Sequence, residues 1–176
     1  MSVPLKHKAE APLHLSFALL TVSTSKAREA EAGGNPTDES GDLAEKLLLE
    51  AGHRIADRRL IPDDRERLKK IVGEWLNSKE IDVIVTMGGT GITASDVTIE
   101  ALEGFLEKQL PGFGELFRFL SFQEIGSPAM MTRTLAGVVR GKALFCLPGS
   151  PNAVRLALEK LILPEAGHVV KHAREP

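Results

Sequence analysis

The sequence predicts a three-layer α/β/α sandwich, an α/β fold on a mostly parallel sheet with one antiparallel strand. Residues 15–22 (LSFALLTV) and 82–87 (DVIVTM) are short apolar runs without clean alternation, as strands covered on both faces by helices read. The segments around them space apolar residues three and four apart, the period of a helix packed on one face. The two signals alternate along the chain, as they do in a parallel sheet with crossover helices. A chain of 176 residues can build one domain with a substantial core and is too short for two of ordinary size.

Residues 1–13 (MSVPLKHKAEAPL) hold prolines and charges and read as a flexible N-terminal arm before a single domain, residues 14–176. After the first strand, residues 24–41 are rich in Gly, Ser, Glu and Pro and read as a long mobile loop. Leu43, Leu47 and Leu48 mark a helix ending at Gly52, and residues 53–60 form the next strand. Leu68, Ile71, Val72, Trp75 and Leu76 carry a second amphipathic helix that leads to the strand at 82–87. Residues 97–106 again have helical spacing, and Phe113, Leu116, Phe117 and Leu120 form a further apolar stripe. Residues 134–139 and 143–147 flank Arg140-Gly141-Lys142, a hairpin that supplies the antiparallel strand. A last helix covers residues 152–163, followed by the polar tail VVKHAREP.

Twenty-two Lys and Arg against 24 Asp and Glu leave a formal charge of −2, so no basic field advertises nucleic acid or anionic lipid. A small-molecule partner is expected. Cys146, the only cysteine, lies in an apolar run; it forms no internal disulfide, reads as a core residue and fits a reducing cytoplasm. The N-terminal residues lack the unbroken apolar stretch of a signal peptide, and no run approaches the ~18 apolar residues of a membrane span. A soluble, cytoplasmic protein is expected.

In such folds ligands gather at the carboxyl ends of the parallel strands. Three loops leave strands there: Thr21-Val22-Ser23 running on toward Asp38, Ser40 and Gly41; residues 88–96 (GGTGITASD); and Pro148-Gly149-Ser150-Pro151-Asn152. Gly88, Gly89 and Gly91 lack Cβ, so the backbone can turn sharply and lay its N–H groups against an anion at a helix N-terminus. A side chain at Gly89 is expected to block that approach and leave the fold intact. The same glycines also suit a plain strand-to-helix turn capped by Ser95 or Asp96. No Gly-Lys followed by Ser or Thr is near, which argues against a P-loop. Gly89-x-Gly91-x-x-Ala94 fits the dinucleotide pattern, but no acidic residue ends a strand about 20 residues later. In the last loop Ser150 can cap and Pro151 suits the first helical position; two anion-friendly loops on one sheet suggest one elongated ligand carrying phosphate.

Asp96 closes the glycine loop, and Asp63 and Asp64 close the turn Leu60-Ile61-Pro62. Carboxylates beside a phosphate cradle repel the ligand unless a divalent cation such as Mg²⁺ lies between them, although Asp63 or Asp64 can equally cap the following helix. His168 and His172 stand four apart, but the sequence offers no third ligand and they read as part of the tail.

Residues 88–96 (GGTGITASD), 111–126 (PGFGELFRFLSFQEIG) and 148–154 (PGSPNAV) closely resemble the molybdenum cofactor biosynthesis proteins of the MoaB and MogA type, and the related G domain of gephyrin. The likeness extends over residues 15–163. It implies a molybdopterin-binding domain that assembles as a homo-oligomer, a trimer or a hexamer, and adenylylates molybdopterin with ATP and Mg²⁺, releasing pyrophosphate. Carried over by motif, Asp63 and Asp96 resemble the catalytic, metal-holding acids. Gly88, Gly89, Thr90, Gly91, Ser121, Pro148, Gly149, Ser150, Pro151 and Asn152 resemble the molybdopterin-facing surface, and Asp38, Ser40 and Gly41 the segment near the nucleotide. A molybdenum insertion protein is the implied partner. Within the same resemblance stands a non-catalytic alternative, a molybdopterin-binding or scaffold protein of the same pathway.

Overall fold

The structure, a computed structural model, describes residues 12–175. The expected arm therefore lies outside the described residues except for Pro12 and Leu13. Strands β1 (Ser16–Val22), β2 (Arg54–Ile61), β3 (Val83–Met87), β4 (Lys108–Gln109), β5 (Leu135–Val139) and β6 (Lys142–Leu147) form one sheet in the order β2-β1-β3-β6-β5-β4. β2, β1, β3 and β6 are parallel to one another, and β5 pairs antiparallel with both β6 and β4, so β5 is the one reversed strand.

The apolar runs of the sequence split between two cores because successive strand residues point to opposite faces. Leu19, Val83, Val85, Ala143 and Phe145 face one core with helices α2 (Glu39–Glu50), α5 (Pro111–Ile125), α6 (Pro151–Ala157) and α7 (Leu163–Arg174). Leu20, Ile84, Leu144 and Cys146 face the other, with α3 (Arg65–Asn77) and α4 (Thr98–Leu102). This is the expected sandwich. Cys146 is fully buried, and burial pushes its thiol pKa up to about 12, so it behaves as a small apolar residue.

Three local expectations change. Residues 24–41 are not a long loop: helix α1 (Thr24–Glu31) follows β1 directly. Its sequence TSKAREAE is rich in helix formers but buries only Ala27, so it carries no apolar period. The helical segment at 97–106 is shorter than its spacing suggests, α4 giving way to a 3-10 turn at Glu103–Phe105. The last helix continues beyond residue 163, through a π turn at Leu158–Ile162 into α7, which buries Ala166 and Val170. Pro164 has no amide hydrogen for a bond back along the helix, and the π turn ends two residues before it. Arg174 then ties α7 to Asp82 at the start of β3, and the other oxygen of Asp82 accepts from Ser16 N.

Candidate active site

The carboxyl ends of the four parallel strands carry the loops that the sequence marks. Gly88 sits at φ +104°, and a Cβ there would lie 2.2 Å from the carbonyl oxygen of Val22, so β1 and β3 can leave the sheet side by side only with glycine at this position. Gly149 packs on Gly88, its own Cβ position 3.1 Å from the Gly88 Cα. The glycine loop and the Pro148–Pro151 loop thus form one surface. Gly88, Gly89, Pro148 and Gly149 line a cleft of about 360 Å³ with Thr90, Gly91, Asp96, Pro128, Met131, Thr132 and Arg133; Asp63, Ser150, Pro151 and Asn152 lie outside that lining.

The capping ambiguities resolve. Asp64 caps α3, accepting hydrogen bonds from the N–H groups of Glu66 and Arg67, both at 2.9 Å. Asp63 is left for another purpose: its Oδ2 accepts from Thr24 N at 3.0 Å and Thr24 Oγ1 at 2.7 Å. The other oxygen, Oδ1, lies 2.9 Å from where a Gly89 Cβ would stand, directly beside the glycine loop. Asp96 is not a helix cap either. The residue before α4 is Val97, with no side-chain cap, and the Asp96 carboxylate turns back onto its own loop, accepting from Thr93 N at 2.9 Å and Thr93 Oγ1 at 2.6 Å. A side chain on Gly91 would strike it at 2.7 Å. Partial burial works against the charged form of Asp96, but the hydrogen bonds from Thr93 and Gly91 and the charge of Arg133 hold its pKa below the ordinary value. Asp96 is therefore ionised at neutral pH.

The remaining residues brace the cleft from behind. Asp38 caps α2 through Gly41 N at 3.1 Å, accepts from Thr21 Oγ1 at 2.7 Å and pairs with Arg58 at 2.9 Å. Burial raises its pKa, and these hydrogen bonds together with the Arg58 charge more than offset that, so the net shift is downward. Any Cβ on Gly41 would overlap that carboxylate. Ser40 donates from its hydroxyl to the Gly149 carbonyl at 2.6 Å, and Ser150 caps α6, accepting from Ala153 N at 3.3 Å, with Pro151 and Asn152 opening the helix. Ser121 is buried on α5 and is not among the residues that line the cleft.

Two residues that sequence reasoning missed belong here. Thr24, the first residue of α1, holds Asp63 by both its amide and its hydroxyl, and the Asp63 amide donates back to the Thr24 hydroxyl at 3.0 Å. Arg133 lines the cleft, donates to the Gly91 carbonyl at 3.1 Å and pairs with Glu100. A threonine two residues after the strand and a cation before the hairpin were the available signals. Gly89 requires a correction: at φ +63° a Cβ would lie 2.4 Å from Thr98 Oγ1 as well as against Asp63, so substitution disturbs the loop itself.

A Mg²⁺ ion fits these residues, since it takes one or two carboxylates and fills its octahedron with water and phosphate oxygens. Asp63 offers an oxygen that Thr24 does not use, and Asp96 is held as a carboxylate. Glycine amides, two acids and a cation at the ends of parallel strands form the kind of arrangement found at the ligand sites of doubly wound α/β proteins.

Comparison with known proteins reaches the same class. The family described as "Probable molybdopterin binding domain" matches residues 18–168. The chain is 44% identical over 165 residues to molybdenum cofactor biosynthesis protein B of Bacillus cereus, covering 93% of this chain and 94% of that one. It is 41% identical over 162 residues to the "Probable molybdopterin adenylyltransferase" of Methanocaldococcus jannaschii, covering 92% and 96%. The crystal structure of the tungsten cofactor synthesizing protein MoaB from Pyrococcus furiosus superposes with a TM-score of 0.83 at 39% identity, covering 94% of this chain and all of that one. The chain belongs to the MoaB/MogA family of molybdenum cofactor biosynthesis proteins.

Proposed function

We propose that this protein adenylylates molybdopterin: an oxygen of the pterin's terminal phosphate attacks the α-phosphorus of ATP. The bond from that phosphorus to the β-phosphate oxygen breaks, and pyrophosphate leaves with the electron pair. The observation that carries this reading is the placement of Asp63 against Gly89 and of Asp96 against Gly91 with neither engaged as a helix cap. Structural carboxylates would have been expected at the caps, where Asp64 already stands.

Phosphoryl-type transfer asks for positioning and charge neutralisation more than for a covalent nucleophile. The backbone of Gly88–Gly91 and the Pro148–Pro151 loop would seat the pterin and its phosphate, and Arg133 at the cleft wall would attract the anion. The Asp38–Gly41 segment would lie near the nucleotide and, through Ser40, fix the second loop. Mg²⁺, held by Asp63 and Asp96, would neutralise phosphate charge between them. The protein would act in the cytoplasm, as a trimer or hexamer, and pass its product to a molybdenum insertion protein.

Pyrophosphate release tests the proposal. Release that requires ATP, Mg²⁺ and molybdopterin together is expected. Tight molybdopterin binding without any pyrophosphate release would overturn it in favour of a non-catalytic carrier.

A further inference from the structure

Far from the cleft, α7 brings His168 and His172 one turn apart on the same helix face, their rings 4.7 Å between centroids. Their Nε2 atoms face each other at 3.0 Å. Each ring is backed at the other nitrogen by a glutamate: His168 Nδ1 lies 3.1 Å from Glu165 Oε2, and His172 Nδ1 lies 2.6 Å from Glu175 Oε2. An ionised carboxylate only accepts hydrogen bonds, so each Nδ1 facing its glutamate carries the hydrogen, and the two Nε2 atoms converge on one point between the rings. At a separation of 3.0 Å that point holds one shared proton or one metal ion.

We propose that His168 and His172 bind a divalent transition-metal ion of the zinc type through their two Nε2 atoms. Imidazole nitrogens hold such ions at about 2.0–2.1 Å, and at that bond length a 3.0 Å separation subtends roughly 95°, a cis angle that opens to the tetrahedral value with a few tenths of an ångström of movement. The carboxylate behind each Nδ1 is the usual outer partner of a metal-bound histidine, fixing the tautomer and raising the basicity of the bound nitrogen. Both rings also border a cavity of about 520 Å³ beside edge strand β4, lined in addition by Glu107, Lys108 and Val138, which leaves room for the rest of the ion's shell. No cluster of three or more His, Cys, Asp or Glu suited to a metal occurs among the described residues. Water therefore completes the shell, and the ion is exchangeable. It would clamp the last two turns of α7.

Titration of chelator-treated protein with Zn²⁺, and with Co²⁺ as a spectroscopic substitute, tests the site. One equivalent per chain is expected, with an absorption spectrum of nitrogen-ligated Co²⁺ and a raised Tm. His168→Gln and His172→Gln should each weaken binding at least about tenfold, and Glu165→Gln by a factor within about 10–100. The Asp63→Asn, Asp96→Asn double variant should keep the equivalent, which separates this site from the cleft. Equal affinity in wild type and in the His168→Gln, His172→Gln double variant would overturn the proposal and leave the pair bridged by a proton alone. Loss of the equivalent in the aspartate double variant would overturn it as well, assigning the ion to the cleft.

Discussion

The hydroxyl of Ser40 donates to the carbonyl oxygen of Gly149, 2.6 Å away and 109 residues along the chain, and so fastens the N-terminus of α2 to the loop after β6. The bond is only part-buried, and a typical intramolecular hydrogen bond nets about 1 kcal/mol. Ser40→Ala should therefore cost stability on that order while loosening the Pro148–Pro151 loop. The expected kinetic signature is a KM for molybdopterin raised several-fold with kcat nearly unchanged. A fall in kcat with KM unchanged would place Ser40 at the reacting atoms instead.

Asp38 should set part of the acid sensitivity of the fold. Its folded pKa lies below the ordinary 3.8, because the hydrogen bonds and the Arg58 charge outweigh burial. A depressed carboxylate contributes stability that is complete above the unfolded pKa and disappears as pH drops through the lower folded value. Urea unfolding of Asp38→Asn should show lower stability than wild type at neutral pH, with the gap closing as pH falls below the ordinary 3.8 and through the lower folded value. A gap that stays constant over that range would mean the carboxylate charge is not what stabilises α2.

The outer face of α5 should mediate self-association. Of the aromatic residues in that segment, Phe113 and Phe117 belong to the core, while Phe119 and Phe122 are 60% and 59% exposed. Leu116 and Ile125 extend the exposed apolar stripe, and contiguous exposed apolar surface is a mark of an interaction site. Light scattering should give a multiple of 19.0 kDa, and Phe119→Glu with Phe122→Glu should shift it toward the monomer. A wild-type mass of one chain at micromolar concentration would end this proposal.

How much of this was legible in the sequence depended on how each residue is constrained. The tight turn at residues 88–91 was legible because its glycines mark backbone that must turn with positive φ at Gly88 and Gly89, and the strands because their burial on both faces demands continuous apolar runs. Helix α1 was not, since one buried alanine makes no period, and β4, two exposed residues long, has no pattern at all. Arg133 stood out only as a cation before the hairpin, and its role was not legible, because it meets Gly91 from 42 residues away, a juxtaposition that only tertiary folding creates. Adjacent identical letters left the helix cap open to Asp63 or Asp64, with motif resemblance alone singling out Asp63; the structure gives the cap to Asp64, and that split supplies the sharpest test of the site.

If Asp64 is the helix cap and Asp63 serves the cleft, the two neighbours should separate stability from catalysis. Asp64→Ala removes the acceptor for Glu66 N and Arg67 N and should cost about 1 kcal/mol, within the usual range for a lost N-cap, while turnover persists. Asp63→Asn keeps the shape and an oxygen for the Thr24 hydroxyl, so stability should change by less than that, yet deleting the charge beside Gly89 should slow adenylylation by a factor on the order of 10² or more. Asp96→Asn should behave in the same way, because an amide oxygen can still accept from Thr93 N, and molybdopterin affinity should move far less than the rate. Partial rescue of either variant by excess Mg²⁺ would trace the deficit to weakened metal binding. Full turnover in folded Asp63→Asn and Asp96→Asn proteins would reduce both carboxylates to loop braces, and with them would go the assignment of the cleft as a site of phosphoryl-type transfer.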